Sequence, residues 1–544
     1  MRVAIISGNI VDVVGKTIFP GSLDVVDGRI RAIRREDSPC ARYLLPGFVD
    51  AHVHVESSML VPYEFARLAL RHGTVATVSD PHEIANVLGI PGVRYMIANG
   101  KTAPFKFHFG APSCVPATSF ETSGAELDAA AIDLLLSGPD VGYLSEVMNY
   151  PGVLNGDPRV LAKIEAAKRL GRPIDGHAPG LRGDALQAYI DAGISTDHEC
   201  YDYDEAREKL ERGMKILIRE GSAARSFDTL TDLMALYPDG CMLCSDDKEP
   251  GDLLTGHIDR LVRRALDRGL DLMTTLRCAC LNPVVHYGLP VGLLQEGDPA
   301  DFVVVDDLRE MRVRETYIDG VLLAQDGKCL LESACADAPN VFRAGAKRTS
   351  DFAVPAPAGR LLNVIEAIDG QLVTGGLLLE PTVTGGLAVP DPTRDLLKLA
   401  VVNRYRDAPP ALAFVRGFGL QRGALATSVA HDSHNIVAVG ASDEELCVAV
   451  NALVESRGGL AAVSEARREV LPLPVAGLMS TDDGPTVAGR VARLEHTAGE
   501  LGCALKAPFM TLSFMALLVI PHLKLSDRGL FDGDRFSFTP LFSG

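Results

Sequence analysis

The sequence predicts an α/β protein built around a (β/α)8 barrel of the TIM type, and three observations support this prediction. Short apolar runs of strand length alternate with amphipathic stretches of helix length from about residue 46 to residue 281. Eight such strand and helix pairs in about 240 residues match the size of a closed barrel. The first turn also lacks the Gly-x-Gly-x-x-Gly motif of an open nucleotide-binding sheet.

The eight predicted strands share a short apolar core that ends in polar residues. They lie near residues 48–54, 74–79, 106–110, 141–147, 173–177, 194–199, 214–219 and 241–246. Helix candidates at 62–72, 158–170 and 204–212 are each followed by a glycine, the residue that favours the left-handed cap of a helix. Each strand is therefore expected to lead into a helix that returns the chain to the next strand.

The rest of the chain predicts two further units and a linker. Residues 1–45 and 286–343 contain short strands and glycine turns, which predict one small β-sandwich domain formed from both flanks of the barrel at 46–285. Residues 344–360 are rich in glycine and proline and predict a linker. Residues 361–544 are expected to form a C-terminal mixed α/β domain, with a helix candidate at 443–457.

Composition and charge exclude several classes of protein. The 544 residues are 47% hydrophobic and 23% charged, which is typical of a folded globular chain. With 53 basic and 71 acidic residues, the net charge is −18 and no cluster of basic residues is visible, so neither nucleic acid nor an anionic membrane is an expected partner. The start has no secretory signal core, and the longest apolar run, 509–520, is short of the roughly 20 residues that span a bilayer. A soluble, cytoplasmic protein is expected.

The eleven cysteines do not suggest a disulfide framework, because their number is odd and they are spread over a long chain. Cys241 and Cys244, with Cys278 and Cys280, offer a structural zinc site, but a strand directs the first two to opposite faces, so buried thiols are favoured. The His-x-Glu of the small zinc nucleobase deaminases is matched at residues 54–56. Their Pro-Cys-x-x-Cys half is missing, which excludes that fold.

Polar residues stand at six of the predicted strand ends. His52 and His54 are two residues apart on the first strand, so both imidazoles face the same side and can reach one cation. The other strand ends carry Asp80-Pro81-His82-Glu83, Glu146, His177, Asp197-His198-Glu199 and Asp246-Asp247. Each of these alone is equally typical of a helix cap or a surface carboxylate, the interpretation favoured for Asp247. Four histidines and two carboxylates on one rim instead indicate one or two divalent cations.

These motifs resemble those of the amidohydrolase superfamily over roughly residues 1 to 340. Within it, the chain is similar to the bacterial adenine deaminase family over its whole length. The matching segments are Pro46-Gly-Phe-Val-Asp-Ala-His-Val-His-Val-Glu-Ser-Ser58, Ser79-Asp-Pro-His-Glu-Ile-Ala-Asn86, Asp175-Gly-His-Ala-Pro179, Ser195-Thr-Asp-His-Glu199, Cys244-Ser-Asp-Asp247, Val429-Ala-His-Asp-Ser-His-Asn-Ile436 and Met479-Ser-Thr-Asp-Asp483. One departure is that Glu146 stands where many binuclear amidohydrolases carry a carboxylated lysine.

The resemblance implies hydrolysis of adenine to hypoxanthine and ammonia at a binuclear Mn²⁺ or Fe²⁺ centre, with Zn²⁺ as an alternative. The implied ligands are His52, His54 and Asp246 for one metal, His177 and His198 for the other, and Glu146 between them. Asp246 is also expected to move a proton from the attacking water to the departing amine. Glu83, with Asp80 beside it, is expected to protonate the ring nitrogen.

Further residues are candidates for contact with adenine. These are His82, Glu199, His431, His434 and Asn435. The last three belong to a polar group that also holds Asp432. We expect this group to cover the barrel mouth, from the same or a neighbouring subunit, rather than to cap a turn in its own domain. The resemblance also implies a homodimer or a larger homo-oligomer, with adenine and water as its small-molecule partners.

Two other functions compete with this interpretation. The first is another binuclear amidohydrolase activity, on a cyclic amide or on a different 6-substituted purine. Enzymes of the superfamily that open cyclic amides usually carry the lysine bridge. Glu146 and the segment 80–83 therefore count against a cyclic amide as the substrate. The second is a non-catalytic scaffold that keeps the barrel without its ligands, and the presence of every implied ligand in this sequence counts against it.

Overall fold

The computed structural model describes residues 3–38 and 40–543. Residues 1, 2, 39 and 544, which fall within the predicted ranges 1–45 and 361–544, lie outside the described residues. The strands are β1 Val3–Asp12, β2 Thr17–Val26, β3 Arg29–Arg35, β4 Tyr43–Pro46, β5 Phe48–Val53, β6 Thr74–Ser79, β7 Lys106–Ala111, β8 Val141–Val147, β9 Ile174–Gly176, β10 Thr196–Asp197, β11 Lys215–Arg219, β12 Cys241–Cys244, β13 Phe302–Val305, β14 Val313–Ile318, β15 Val321–Gln325, β16 Lys328–Cys329, β17 Val354–Pro355, β18 Leu361–Glu366, β19 Gly375–Leu379, β20 Thr382–Thr384, β21 Leu387–Val389, β22 Leu397–Val402, β23 Ala411–Arg416, β24 Ala424–Thr427, β25 Ile436–Gly440, β26 Gly459–Ser464, β27 Arg467–Pro472, β28 Leu523–Ser526, β29 Gly529–Asp532, β30 Ser537–Phe538 and β31 Phe542–Ser543.

The helices follow the same chain order. They are α1 Pro62–Leu70, α2 His82–Leu88, α3 Ile90–Gly100, α4 Ala129–Leu136, α5 Tyr150–Leu154, α6 Pro158–Arg169, α7 Gly183–Asp191, α8 Tyr203–Glu211, α9 Phe227–Leu230, α10 Leu233–Leu236, α11 Pro250–Thr255, α12 Ile258–Asp267, α13 Leu272–Leu276, α14 Asn282–Tyr287, α15 Asp443–Ser456, α16 Gly484–Glu500 and α17 Pro508–Ser513. Short 3-10 segments occur at Val55–Ser58, Thr349–Phe352, Pro392–Arg394 and Phe514–Ala516, and a π segment at Arg277–Leu281.

Eight parallel strands, β5 to β12, form the central sheet in chain order. They make one ladder from β5 to β9 and a second from β10 to β12. The amide of Ser195 donates to the carbonyl of Ile174 (2.9 Å) where the two ladders adjoin. Val53 bridges in parallel to Asp246, whose amide donates to the carbonyl of His52 (2.9 Å). The parallel sheet therefore curls until its first and last strands meet, and all eight strands lie at their predicted positions.

The sequence explains why these elements form. Every residue of β5 and of β6 is buried. This is expected for parallel strands that are covered on both faces, whose sequences are nearly continuous apolar runs. Helices α1, α6 and α8 end where the glycine rule predicted. Gly73, Gly171 and Gly213 have φ angles of 78°, 63° and 89°, the left-handed region that a side chain disfavours.

The two flanks of the barrel segment meet in one mixed sheet of eight strands, ordered β16-β15-β14-β13-β4-β1-β2-β3. Strand β4 joins them, because Tyr43 pairs in parallel with Asn9 of β1 while Pro46 pairs antiparallel with Phe302 of β13. The predicted boundary after residue 285 falls inside α14. The domain ranges 1–45, 286–343 and 46–285 stay predictions.

The C-terminal part contains a nine-stranded sheet ordered β19-β18-β23-β22-β25-β24-β26-β27, with β31 added beside β18. Helix α15 covers 443–456, close to the predicted helix. Inside the predicted linker 344–360, Phe352 is buried and packs in the same apolar cluster as Ile436 and Leu446. Contacts also tie this part to the segment that follows β5, since the amide of Ser480 donates to the carbonyl of Met59 (2.8 Å).

The apolar run 509–520 folds into α17 and the 3-10 segment behind it, and most of its side chains are buried. Within residues 3–38 and 40–543, none of the helices has both the length and the apolar character to traverse a bilayer.

All eleven cysteines are free, and eight of them are buried. Burial raises the pKa of Cys241 to about 12. The thiols of Cys278 and Cys280 point to backbone carbonyls, those of Pro238 (3.7 Å) and Pro46 (3.6 Å). The prediction of buried thiols is confirmed for these positions.

Candidate active site

The residues predicted from the strand ends all lie at the carboxyl edge of the curled parallel sheet. His52, His54, Glu146, His198 and Asp246 are each at most 3% exposed, and His177 is slightly more open. Asp247, favoured from sequence as a cap or surface residue, is half-buried and accepts from the Ser57 hydroxyl (2.5 Å). The sheet therefore collects side chains from six strand ends into one buried cluster.

A first set of donor atoms comes from the two ends of the curled sheet. The Nε2 atoms of His52 and His54 are 3.2 Å apart and lie 3.5 and 3.2 Å from Oδ1 of Asp246. Together these three residues form a group whose ligand atoms could hold a metal ion. The two-residue spacing of the histidines on β5 and the meeting of β5 with β12 produce this geometry.

A second set lies on the far side of Glu146. Oε2 of Glu146 lies 2.6 Å from Nδ1 of His177 and 3.2 Å from Nε2 of His198. Its other oxygen, Oε1, lies 3.2 Å from Nε2 of His54. The rings of His52 and His198 stack with centroids 4.1 Å apart. One carboxylate thus contacts both histidine sets, one oxygen to each.

His82, which was predicted to contact the substrate, lies among the candidate metal ligands. Its Nδ1 atom is 3.1 Å from Oδ2 of Asp80 and 3.4 Å from Oε1 of Glu146. His54, Asp80, His82 and Glu146 form a further group with metal-ligand spacing. Asp80 approaches through one oxygen only.

The electrostatics of the cluster favour ionised carboxylates. Burial alone would raise the pKa of Glu146, but His198 and His177 together hold it well below its usual value. Burial likewise opposes ionisation of Asp246, whose pKa Arg219 and the two histidines of β5 keep well below its usual value. The donor set is therefore nitrogen and anionic oxygen, the chemistry that Mn²⁺, Fe²⁺ and Zn²⁺ accept.

Glu83 is the point where the C-terminal part of the same chain enters the site. Its two carboxylate oxygens contact Nδ1 of His431 and Nε2 of His434. The ring of His431 stacks on Phe514, with centroids 4.7 Å apart and planes 11° apart. Glu83 is thus contacted by two imidazoles that lie about 350 residues later in the chain. That this segment covers the barrel mouth stays a prediction.

Glu83, His431 and His434 differ in their tendency to carry charge. Although burial opposes it, the pKa of Glu83 lies well below its usual value because His431, His82 and His434 surround it. For His431, burial lowers the pKa but Glu83 outweighs it and raises the value to about 9. Burial lowers the pKa of His434. The pair of Glu83 and His431 therefore holds one proton at neutral pH, mainly on the imidazole.

Asn435 does not point at the cluster. Its Nδ2 donates to the carbonyl of Thr122 (2.9 Å) and its Oδ1 accepts from the amide of Arg404 (3.0 Å). It therefore fastens the turn that carries His431 and His434 to a loop of the barrel segment.

Arg219 was missed by the sequence reasoning. It ends β11 and is buried between two carboxylates. Its Nη2 donates to Oε2 of Glu199 (2.8 Å), and its Nη1 contacts the other Glu199 oxygen and donates to Oδ2 of Asp246 (2.5 Å). Glu199, a predicted substrate contact, is thereby committed to Arg219. Arg219 stands at the end of the seventh predicted strand. That position was the available signal, because candidate site residues were predicted at the ends of six other strands.

Asp50 was missed as well. Its Oδ2 lies 2.7 Å from Nε2 of His257, and its Oδ1 accepts from the amide of Ser245 (2.9 Å), next to Asp246. Because Asp50 is two residues before His52, it shares that face of β5, and this spacing was the available signal. It locks the first strand to the last immediately behind the cluster.

Besides Nδ1 of the candidate metal ligand His52, three buried polar atoms of the site have no hydrogen-bond partner within the described residues. They are Nε2 of His431, Oδ2 of Asp432 and Oδ1 of Asp80. Burial raises the pKa of Asp432 to about 6. Buried polar atoms are normally paired, so these three are the free capacity of the site for a ligand.

Comparison with known proteins gives the family. Residues 43–323 match the amidohydrolase family, and residues 371–537 match the adenine deaminase C-terminal domain. A protein of Salinibacter ruber named adenine deaminase is 59% identical over 99% of this chain and 98% of its own. One of Methanosarcina barkeri with the same name is 53% identical over 99% of both chains. Among solved structures, a beta-aspartyl dipeptidase of Fervidobacterium islandicum covers 61% of this chain and 99% of its own, at 15% identity and a TM-score of 0.48.

These matches confirm the resemblance seen in the sequence. The amidohydrolase match implies a TIM-type barrel, in agreement with the curled parallel sheet, and it implies a divalent metal, in agreement with the clustered histidines and carboxylates. The similarity extends over the whole chain rather than over the barrel segment alone. The chain belongs to the adenine deaminase family of amidohydrolases.

Proposed function

We propose that this chain hydrolyses adenine to hypoxanthine and ammonia, a reaction of purine salvage. The observation that carries the proposal is the Glu146 carboxylate, which contacts His54 through one oxygen and His177 and His198 through the other. We infer that Glu146 would contact both metal ions, in place of the carboxylated lysine of many binuclear amidohydrolases. Full-length relatives that are named adenine deaminase supply the choice of substrate.

The donor set fits two divalent ions, Mn²⁺ or Fe²⁺, with Zn²⁺ as the alternative. His52, His54 and Asp246 would hold one ion, His177 and His198 the other, and Glu146 would contact both. Support comes from the overlapping groups of nitrogen and oxygen atoms that lie within 4.8 Å of one another. When bound, such ions lower the pKa of a coordinated water so that hydroxide is available near neutral pH.

Asp246 is assigned the movement of one proton. In the overall reaction a C–O bond forms at C6 of adenine and the C–N bond to the amino group breaks. The proton of the new hydroxyl passes through the Asp246 carboxylate to the departing amine, which leaves as ammonia. Arg219 supports this role, since it binds Oδ2 of Asp246 and so turns Oδ1 toward His52 and His54.

The pair formed by Glu83 and His431 is assigned the second proton. Attack at C6 places negative charge on the neighbouring ring nitrogen, which must be protonated. The proton lies mainly on His431 and is shared with Glu83, so the Glu83 carboxyl delivers it while His431 restores it. The proton that water releases when it becomes hydroxide replaces the one lost from His431. Water thus supplies both protons, one to the ring nitrogen and one to the departing amine.

Recognition of the purine is assigned to the polar atoms that lack partners. Oδ2 of Asp432 and Oδ1 of Asp80 are acceptors for the ring N–H and the amino group of adenine, and Nε2 of the protonated His431 is a donor to a ring nitrogen. His82 lies between them, 3.9 Å from Oδ1 of Asp432. A site built to pair with N–H groups discriminates against analogues that lack them.

The broader organisation remains a proposal as well. We assign residues 1–45 and 286–343 to a β-sandwich, 46–285 to the closed metal-dependent barrel and 361–544 to a C-terminal α/β domain joined by 344–360. The shared sheet of the two flanks supports the first assignment. A cytoplasmic homodimer or larger homo-oligomer is the proposed setting.

An ammonia-release assay tests the function. Enzyme loaded with Mn²⁺ is compared with chelator-stripped enzyme on adenine, with adenosine as the control substrate. We expect turnover of adenine only, and only with metal. Absence of adenine turnover in enzyme that binds two metals contradicts the proposal, and a cyclic amide such as dihydroorotate would then be the next substrate to assay.

A further inference from the structure

A second cavity, of about 520 Å³, lies outside the candidate active site. It is open to solvent on one side and is lined by the segment after α1, the helices α11 and α12, the start of β14 and the turn after β15. None of the active-site residues described above lines it. Five guanidinium groups do, those of Arg71, Arg260, Arg263, Arg312 and Arg314. They come from three distant parts of the chain, which is why the sequence shows no basic run.

Two of these arginines are committed to the fold. Arg314 contacts Asp306 and lies 3.2 Å from Oδ1 of Asp326. Arg71 donates through Nε to the carbonyl of Gly327 (2.7 Å). These contacts hold the rim of the cavity together and neutralise part of its charge.

The other three have no carboxylate partner in the part of the chain that the structure describes. Arg263 and Arg312 are exposed, and within residues 3–38 and 40–543 neither guanidinium donates a hydrogen bond. Arg260 reaches only the hydroxyl of Thr255, at 3.5 Å. Three guanidinium groups without anions around one cavity repel one another, so a ligand that supplies negative charge is stabilising there.

The carboxylates of the cavity do not balance these groups. Asp326 serves Arg314, and Asp259 accepts from the amide of His257 (2.8 Å) and lies 3.6 Å from Nδ1 of His72. Glu310 is the remaining carboxylate of the lining. Three lining carboxylates and Asp306, which contacts Arg314, face the five arginines, so an excess of one positive charge is left. Within the described residues, Nε2 of His72 is buried at this wall without a partner and adds a hydrogen-bonding atom.

We propose that this cavity binds a phosphate monoester of nucleotide size. A phosphate monoester carries close to two negative charges at neutral pH, which the three guanidinium groups without a carboxylate partner can balance, and the planar guanidinium fork pairs with two of its oxygens at once. The volume is in the range of small-molecule sites. Because the whole chain has a net charge of −18, general attraction of anions does not explain such binding.

Isothermal titration calorimetry on the full chain tests the proposal. The probes are ribose 5-phosphate, AMP and inorganic phosphate, with adenosine as the uncharged control. Ribose 5-phosphate has no purine ring, so its binding does not depend on the proposed adenine site. We expect both esters to bind more tightly than inorganic phosphate, and more weakly as salt is raised.

The double variant R263A/R312A is expected to raise the Kd of ribose 5-phosphate at least about tenfold, since two charge-assisted contacts are lost. Adenine turnover should be unchanged. The matched control is R94A/R493A, which removes two exposed arginines outside the cavity and should leave the Kd unchanged. R263K/R312K keeps the charge without the fork and should give an intermediate Kd, which covers the case of a misfolded alanine variant.

Three outcomes overturn the proposal. The first is failure of both esters to bind at low salt, or equal affinity in R263A/R312A and R94A/R493A. The second is inorganic phosphate binding as tightly as the esters, because the proposed ligand fills the cavity. The third is a change in sedimentation mass of R263A/R312A with its Kd unchanged, which would assign these arginines to a contact between copies of the chain.

Discussion

The candidate active site has two walls that are built differently. The strand-end wall consists of His52, His54, Glu146, His177 and His198, and each of these side chains stands at the end of a parallel strand or directly after it. The C-terminal wall is the turn of residues 430–435 between β24 and β25, which presents two histidines to Glu83. The parallel strands position the first wall directly, whereas the second wall is a turn between paired strands that side-chain contacts hold to the barrel segment.

This difference separates two tasks of the site. The strand-end wall concentrates nitrogen and carboxylate donors, so its substitutions should change metal binding and activity together. The C-terminal wall contacts Glu83 and leaves the Glu146 carboxylate untouched. Its substitutions should change proton transfer and leave the metals in place. Each substitution below strengthens this separation or contradicts it.

Glu146→Gln should have the largest effect. The amide loses the charge that faces four histidines, so we expect loss of bound metal and a fall in kcat/KM for adenine on the order of 10⁴. The measurements are metal content after gel filtration and ammonia release. Glu249→Gln is the matched control, because burial already raises the pKa of Glu249 to about 8 and its neutral form resembles glutamine. Full metal content and activity in Glu146→Gln contradict the assignment of Glu146.

Glu83→Gln should come next, with kcat about 10³-fold lower and metal content unchanged, because a positioned proton donor contributes roughly 10² to 10⁴ in rate. Glutamine keeps the contacts to both imidazoles but cannot carry the proton. Pre-steady-state measurement separates this loss of kcat from a change in KM. Turnover near that of the unmodified enzyme removes Glu83 from acid catalysis.

His434→Ala should lower kcat by about 10² with both metals bound, because Glu83 loses one of the two groups that orient it. Metal analysis and ammonia release are the two measurements. His496→Ala on the exposed face of α16 is the matched control, since that imidazole is 75% exposed. An unchanged rate and KM in His434→Ala would mean that residues 430–435 only cap a turn of their own domain.

Arg219→Lys should cost between about 10- and 100-fold in kcat/KM, the usual range for a group that positions a metal ligand. Lysine keeps one positive charge near Glu199 and Asp246 but cannot donate to both carboxylates as a fork. If Arg219 orients Asp246, weaker metal retention should accompany the loss of rate. A loss of rate with full metal retention would instead mean that Arg219 acts on proton transfer, as the C-terminal wall does. This result would contradict the separation of metal binding from proton transfer between the two walls.

Much of the strand-end wall could be predicted from the sequence because strands make geometry local. The spacing of His52 and His54 gave a shared face, and the alternation of strands and helices gave the common rim. The contact between Glu83 and His431 could not be derived in this way, since it joins residues far apart in the chain. Arg219 was readable from its strand end. The arginine cavity was not, because its residues are assembled only by the fold.

Asn435→Ala should have the smallest effect of the five, and it tests how the C-terminal wall is held. The side chain donates to Thr122 and accepts from the amide of Arg404, so its loss releases the turn from the barrel segment without removing a group that touches Glu83. A buried hydrogen bond contributes about 0.5–1.5 kcal/mol, which corresponds to a few-fold to tenfold decrease in kcat.

The strand-end wall should not respond to this change. Metal content is expected to match the unmodified enzyme, and a second variant, Asn435→Asp, should recover part of the rate because it keeps the acceptor for Arg404 while losing the donor to Thr122. A drop in metal content in Asn435→Ala would show that the turn also supports the strand ends. The two walls would then act as one unit, because the turn of residues 430–435 would also stabilise the candidate metal ligands at the ends of the parallel strands.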